Sequence, residues 1–166
     1  MTFYEELLRA LEEKHIQYLI VGGVAVVLHG YVRATADLDL MLAMNSNNLN
    51  AFLGIMKQRG YKPKPPVPLE DFADPEKRRT WIQEKSLTVF SVYHPGKPQE
   101  LIDIFVDEPI PFAEAYEQRK IVKLETTSIN VISIRDLIGL KKRAGRPQDI
   151  QDIQALESLQ KGNPNG

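Results

Sequence analysis

Apolar residues recur along this chain with two different periods, and the change of period marks out its elements. Phe3, Leu7, Leu8 and Leu11 fall on one stripe at helical spacing. Residues 3–14 are therefore predicted to form a helix with one buried face, opened by a Thr2/Glu5 capping pair. Gln17 to Val21 is a short apolar run suited to a buried strand. Gly22-Gly23 then opens a short helix, Val24 to His29, closed by Gly30. From Asp37 to Leu42 acidic and apolar residues at first alternate, the period of a strand with two unlike faces.

Asn45-Ser46 caps a helix over 47–59 that Gly60 ends. Five prolines (Pro63, Pro65, Pro66, Pro68 and Pro75) predict an irregular loop over 61–75. Pro75 after Asp74 starts a helix through Gln83. Ser86 to Tyr93 and Glu100 to Val106 read as strands joined in a hairpin at Pro95-Gly96. Phe112 to Gln118 is a short helix, and 119–125 and 128–133 are further strands. Two helices, Arg135 to Ala144 and Pro147 to Gln160, are parted by Gly145-Arg146-Pro147. The predicted class is α/β (α+β): a mixed β-sheet flanked by helices, with a helical C-terminus. One domain is expected over 1–161, with a fraying tail over 162–166.

Composition narrows the chemistry. A chain of 166 residues, 43% apolar and 26% charged, can bury the core of one ordinary globular domain. A formal charge of -1 shows no global basic field of the kind that holds nucleic acid by neutralising its backbone. There is no cysteine, which excludes disulfide scaffolds, zinc–thiolate sites and thiol nucleophiles. Any metal must then be held by oxygen or imidazole, pointing to magnesium, manganese or calcium before zinc. Acids and bases run through the first fifteen residues, unlike a signal peptide. The longest apolar run, Leu19 to Leu28, is too short to span a bilayer. A cytoplasmic protein with no membrane partner is expected.

The informative spacing is Gly22-Gly23, thirteen residues, then Asp37-Leu38-Asp39. A strand ending at paired glycines and turning into a helix leaves backbone N–H groups free and lets phosphate oxygens approach closely. The returning strand carries carboxylates at i and i+2, hence on one face. Two such carboxylates repel each other unless a cation sits between them. A phosphate cradle facing a pair of hard oxygen ligands is what metal-assisted phosphoryl chemistry requires.

At these residues the chain resembles the DNA polymerase beta superfamily of nucleotidyltransferases, whose signature is a Gly-Gly or Gly-Ser pair, a spacer and an acid–apolar–acid strand. It is similar above all to the small standalone type, including the AbiEii/AbiGii toxin family. The stretches that carry this are Gly22-Gly23-Val-Ala-Val-Val-Leu-His29-Gly30 and Arg33-Ala-Thr35-Ala-Asp37-Leu-Asp39. The resemblance implies a third carboxylate on a later strand. Asp103, an acid inside Leu101 to Phe105, fits, with Asp107 or a solvent-facing edge acid as the alternatives. Asp136-Leu-Ile-Gly-Leu-Lys141 and Arg146-Pro-Gln-Asp149-Ile-Gln-Asp152 are similar to late motifs of the toxin type. There the lysine is implied to serve the triphosphate or the chemistry. The similarity covers residues 17–42 and, in shorter stretches, 100–105 and 134–156.

The implied set is Asp37, Asp39 and Asp103 as catalytic and metal-binding residues. Gly22, Gly23, Arg33, Thr35 and Lys141 are implied at the nucleotide. Two Mg2+ (or Mn2+) ions are expected when substrate is bound, with a nucleoside monophosphate moving from a triphosphate to a hydroxyl of RNA, a protein or a small molecule. A toxin-type member implies an antidote partner protein. Plainer readings stand beside these. Lys141, with Lys142 and Arg143, also suits a solvated helix face, and Arg33 and Thr35 suit a surface turn. His29 reads as a helix end. Arg78, Arg79 and Trp81 read either as an acceptor-binding patch or as one face of an amphipathic helix. Many members carry serine where Gly23 stands. Losing that hydrogen bond to a charged group is expected to weaken nucleotide holding by roughly 1.5–3 kcal/mol. The alternative function is therefore a catalytically weak nucleotide- or partner-binding module of the same fold.

Overall fold

The computed structural model describes residues 2–162, with side chains from Tyr4 onward. The side chains of Thr2, in the capping pair, and Phe3, in the helical stripe, and residues 163–166 of the tail lie outside what is described. Among the described residues, seven α-helices and seven strands follow one another as α1 (Thr2–Glu13), β1 (Tyr18–Val21), α2 (Gly22–Leu28), β2 (Leu38–Leu42), α3 (Ser46–Gln58), β3 (Lys62–Pro63), α4 (Pro75–Lys85), β4 (Val89–His94), β5 (Lys97–Phe105), α5 (Phe112–Glu117), β6 (Lys120–Lys123), β7 (Ser128–Val131), α6 (Ile134–Ala144) and α7 (Pro147–Gly162). The strands form one mixed sheet in the order β3-β4-β5-β2-β1-β7-β6. β2 runs parallel to β5, and β1 parallel to β7. The remaining neighbours are antiparallel.

The predicted periods are the ones the core uses. Leu7, Leu8 and Leu11 of α1 are all buried, and every residue of β1 is closed off from solvent. In β2 and β5 burial alternates around the acids: Leu38, Leu40, Ile102 and Ile104 are buried, while Asp39 and Asp103 are only partly covered on the opposite face. Asn45 caps α3 by accepting from the backbone N–H of Asn48 at 2.9 Å. Ser133 caps α6 in the same way through Asp136 N–H at 3.2 Å.

Several boundaries differ from expectation, each for a local reason. The proline-rich stretch is more ordered than a loop. Lys62 and Pro63 pair with Tyr93 and Val92 at the sheet edge, where a missing N–H is tolerated. Leu69–Ala73 winds into a 3-10 turn that buries Phe72 against Phe90, ring centres 5.2 Å apart. Ser86 takes a left-handed conformation (φ 50) as the C-cap of α4, which delays β4 until Val89. The hairpin at Pro95-Gly96 forms, and β5 starts directly after it at Lys97. α7 extends through Gly162, past the expected end at Gln160. No described helix is long and apolar enough to cross a membrane.

Candidate active site

The three sequence-picked acids meet at one end of the sheet. Asp39 pairs in register with Asp103 across the parallel β2–β5 ladder, so both side chains leave the same face. Asp37 stands just ahead of β2, two residues before Asp39, close enough for its charge to be felt by Asp39 and for it to feel Asp103. On the far side Asp103 pairs with Ser91 of β4, whose Oγ donates to Asp103 Oδ1 at 2.5 Å. On the near side Asp39 pairs with Val21, the residue before Gly22. The register of the sheet thus lines up Ser91, Asp103, Asp39 and the glycine turn in one row.

The acids feel one another. Burial, then repulsion from Asp103 and Asp37, pushes the Asp39 carboxyl up to about 7, against a smaller pull from Lys141 and Arg146. Burial and Asp103 likewise raise Asp37, while Lys64 pulls it down. Tyr4 is driven up to about 12, chiefly by burial; its hydroxyl donates to Ala36 O at 2.6 Å and pins the chain just ahead of Asp37. None of the three acids has an ion-pair partner among the described residues. Nor do any three His, Cys, Asp or Glu side chains there close around a single ion position. The donor set nonetheless suits a hard divalent cation: it is all oxygen, Asp39 and Asp103 share one face, and the mutual repulsion of the acids is what a cation relieves.

Gly22 is required where it stands, and Gly23 is crowded by side chains of the loop before β2. Gly22 has φ +67, and a Cβ there would lie 2.0 Å from Asp39 Oδ2. A Cβ on Gly23 would meet Thr35 Oγ1 at 2.6 Å and Arg33 Nη2 at 3.0 Å. Arg33 and Thr35 of the loop before β2 therefore close over the strand-to-helix turn.

Lys141 is neither a solvated-face lysine nor a free cation. It is buried, with Nζ 2.8 Å from Asp152 Oδ2 and 3.2 Å from Asp149 Oδ1. Asp152, wholly buried, also accepts from Arg33 Nε and Nη2, both at 2.9 Å, and from Gln148 at 3.1 Å. Arg146 Nε closes the cluster on Asp149 at 2.8 Å. Burial alone would raise both aspartates. Hydrogen bonds from Arg146 and Lys141 to Asp149, and from Lys141, Arg33 and Gln148 to Asp152, hold them below the ordinary carboxylate range. This network ties the Arg33 loop to α6 and α7 beside Asp39. The sequence similarity includes Asp149 and Asp152 but does not imply this role for them. Their signal was two acids three apart on one helix face, downstream of Lys141-Lys142-Arg143. Ser91 lies between the apolar Phe90 and Val92, and nothing local marks it, because its pairing with Asp103 rests on strand register.

Arg78, Arg79 and Trp81 do not form an acceptor patch. Arg78 is buried and donates to Phe72 O at 2.5 Å, and Trp81 stacks on Phe90 with ring centres 5.3 Å apart. Arg79 is exposed and pairs with Glu76. His29 is a buried helix-end residue with Nε2 2.7 Å from Ile132 O. A cavity of about 500 Å3 opens beside the Arg33 loop, lined by Tyr4, Val24, Leu28, Arg33 and Thr35 among others. Another of about 500 Å3 lies between α1 and α3 near Tyr61 and His94. None of the three acids lines either one.

Comparison with known proteins gives a family and a fold. The sequence pattern of a family described as "Nucleotidyltransferase of unknown function (DUF6036)" matches residues 2–161. No curated protein matches the chain in sequence at a significant level. Among solved structures, the lincomycin-bound lincosamide antibiotic adenylyltransferase LnuA superposes with a TM-score of 0.59 at 18% identity, over 95% of this chain and 95% of its own. ANT(2")-Ia in complex with adenylyl-2"-tobramycin gives 0.58 at 17% identity, over 97% of this chain and 94% of its own. An antigenic nucleotidyltransferase-like protein from Paracoccidioides brasiliensis gives 0.57 at 19%, over 95% and 75%. At these identities the likeness is one of fold.

Proposed function

The chain belongs to the DUF6036 nucleotidyltransferase family, and on that premise we propose that it moves a nucleoside monophosphate from a triphosphate to a hydroxyl acceptor. The observation that carries this is the Asp39–Asp103 register pair beside the Gly22 turn. Asp37, Asp39 and Asp103 would hold Mg2+ or Mn2+, up to two ions with substrate present. When bound, such ions neutralise triphosphate charge and stabilise the attacking and leaving oxygens of an in-line displacement.

The chain's own residues do the rest. Gly22 and Gly23 would offer backbone N–H groups to the phosphates, and as glycines they leave room for Asp39, Thr35 and Arg33 to stand against the turn. Arg33 adds positive charge there and is held in place by Asp152. Asp103 is the group to take the acceptor's proton: Ser91 engages its Oδ1, leaving Oδ2 free. Lys141 acts on the site from behind, as a buried charge that eases the ionisation of Asp39.

The acceptor is best read as a small molecule bearing a hydroxyl. The fold neighbours titled as adenylyltransferases or carrying an adenylylated drug match this chain over nearly their whole length, and the net charge of -1 offers no field for a large RNA. The toxin-type reading, with an antidote partner, remains the competing biology.

A second reading, a nucleotide-binding module with little turnover, is favoured by one observation: the cation expected at the triphosphate, Lys141, is engaged by two aspartates. Calorimetry with the four ribonucleoside triphosphates, with and without magnesium, combined with a pyrophosphate-release assay, separates the two. Magnesium-dependent binding with pyrophosphate release supports the enzyme, and binding without release supports the module. No binding of any triphosphate contradicts both.

A further inference from the structure

The backbone at Gly23 makes no demand for glycine. Gly22, Gly30, Gly60 and Gly145 have positive φ, and Gly23 does not. What excludes a side chain there is crowding. A Cβ on Gly23 would stand 2.6 Å from Thr35 Oγ1, 3.2 Å from Thr35 Cβ and 3.0 Å from Arg33 Nη2. The space that a side chain at 23 would occupy is thus already filled by a hydroxyl and a guanidinium delivered from the loop before β2.

Both groups are disposed to bind something. Thr35 is an exposed residue whose hydroxyl stands against the turn. Arg33 donates through Nε and Nη2 to Asp152 and through Nη1 to Ala34 O. A guanidinium has five N–H donors, so two remain, and the Asp152 anchor fixes the plane in which they point. Thr35 and Arg33 also line the cavity of about 500 Å3 next to the turn.

We propose that Gly23 and Thr35 form one coupled unit, in which Gly23 is glycine so that Thr35 Oγ1 can stand over the strand-to-helix turn and donate to a phosphate oxygen of the nucleotide. The hydroxyl that a serine at 23 would offer is not missing from this site but arrives from position 35, with Arg33 beside it. This deepens the nucleotidyltransferase reading and rests on it. It predicts that the hydroxyl can be moved: a side chain at 23 and a side chain at 35 exclude each other, and one hydroxyl at either place serves.

The test is calorimetric binding of magnesium α,β-methylene-ATP, with unliganded melting temperatures as a check on folding. Thr35→Val, which keeps the β-branched shape without the hydroxyl, is expected to weaken binding roughly ten- to hundred-fold, the loss of a hydrogen bond to a charged group. Thr35→Ser is expected to bind within about threefold of wild type, a difference well under 1.4 kcal/mol. Gly23→Ser alone should weaken binding through the collision with Thr35. The double change Gly23→Ser with Thr35→Ala should recover most of the wild-type affinity. If Thr35→Val binds as tightly as wild type, or the double variant is no better than Gly23→Ser, the coupled unit is wrong and the nucleotide reading survives. If wild type does not bind the analogue, that reading fails and takes the coupled unit with it.

Discussion

The Asp39 carboxylate occupies the space in which a side chain on Gly22 would begin: a Cβ there would lie 2.0 Å from Oδ2. Turn and acid are therefore one construction, and φ +67 at Gly22 reinforces the demand for glycine. Gly22→Ala should displace Asp39 and cost about 2 kcal/mol or more, from the left-handed conformation together with the clash. Urea unfolding checks this, and a midpoint within error of wild type would show that the acid does not sit against the turn.

The raised Asp39 carboxyl makes stability depend on pH. In the unfolded chain this group ionises near the ordinary carboxylate value of about 4. In the fold burial and two neighbouring acids hold it protonated until about 7. Between these limits the folded state binds more protons, so stability falls as pH rises from about 4 toward 7 and then levels off. Without divalent cation, Asp39→Asn should flatten this part of the curve and melt several degrees above wild type at pH 8, for the repulsion is gone. Magnesium should raise the wild-type midpoint at pH 8 and leave the variant unmoved. Thermal melts across pH 4–8, with and without magnesium, read both effects.

The α6–α7 cluster is expected to behave as a structural clamp. Asp152 is wholly buried and accepts from Arg33, Lys141 and Gln148. Asp152→Ala takes the carboxylate from part-exposed Arg33 and leaves buried Lys141 with Asp149 alone, and should cost about 3 kcal/mol. It should also weaken triphosphate binding, because the Arg33 loop loses its anchor. Denaturant titration and calorimetry on the same sample check the pair of effects.

Arg78 should matter to folding and not to nucleotide. It donates to Phe72 O and lies with its guanidinium 5.7 Å from the Phe72 ring centre. Arg78→Met should destabilise by about 1–3 kcal/mol by leaving a buried carbonyl unpaired. Triphosphate affinity should be unchanged, and a large loss would restore the acceptor-patch reading.

The parts legible in the sequence were those fixed by local pattern. The Leu7, Leu8 and Leu11 stripe, the Asn45 cap and the acid–apolar alternation at Asp37 to Leu40 each rest on residues close in the chain. The α/β class followed from their order. What escaped depends on tertiary pairing. The proline-rich segment orders because Phe72 finds Phe90, and Lys141 is buried because Asp149 and Asp152 of the next helix reach it. Arg33 meets Asp152 across 119 positions of sequence, a separation no local pattern encodes. The alignment of Asp39 with Asp103 depends on a strand register set by a long crossover. The acids themselves could be picked from the sequence, and that the third stands beside the first two was implied only by the family resemblance.

The most direct test is a crystal of the protein with manganese and α,β-methylene-ATP, read by the anomalous signal of the metal. The account predicts a peak bounded by carboxylate oxygens of Asp37, Asp39 and Asp103, with the triphosphate running toward Gly22 and Gly23. Manganese or triphosphate bound elsewhere, with Asp39 and Asp103 left unliganded, would contradict it.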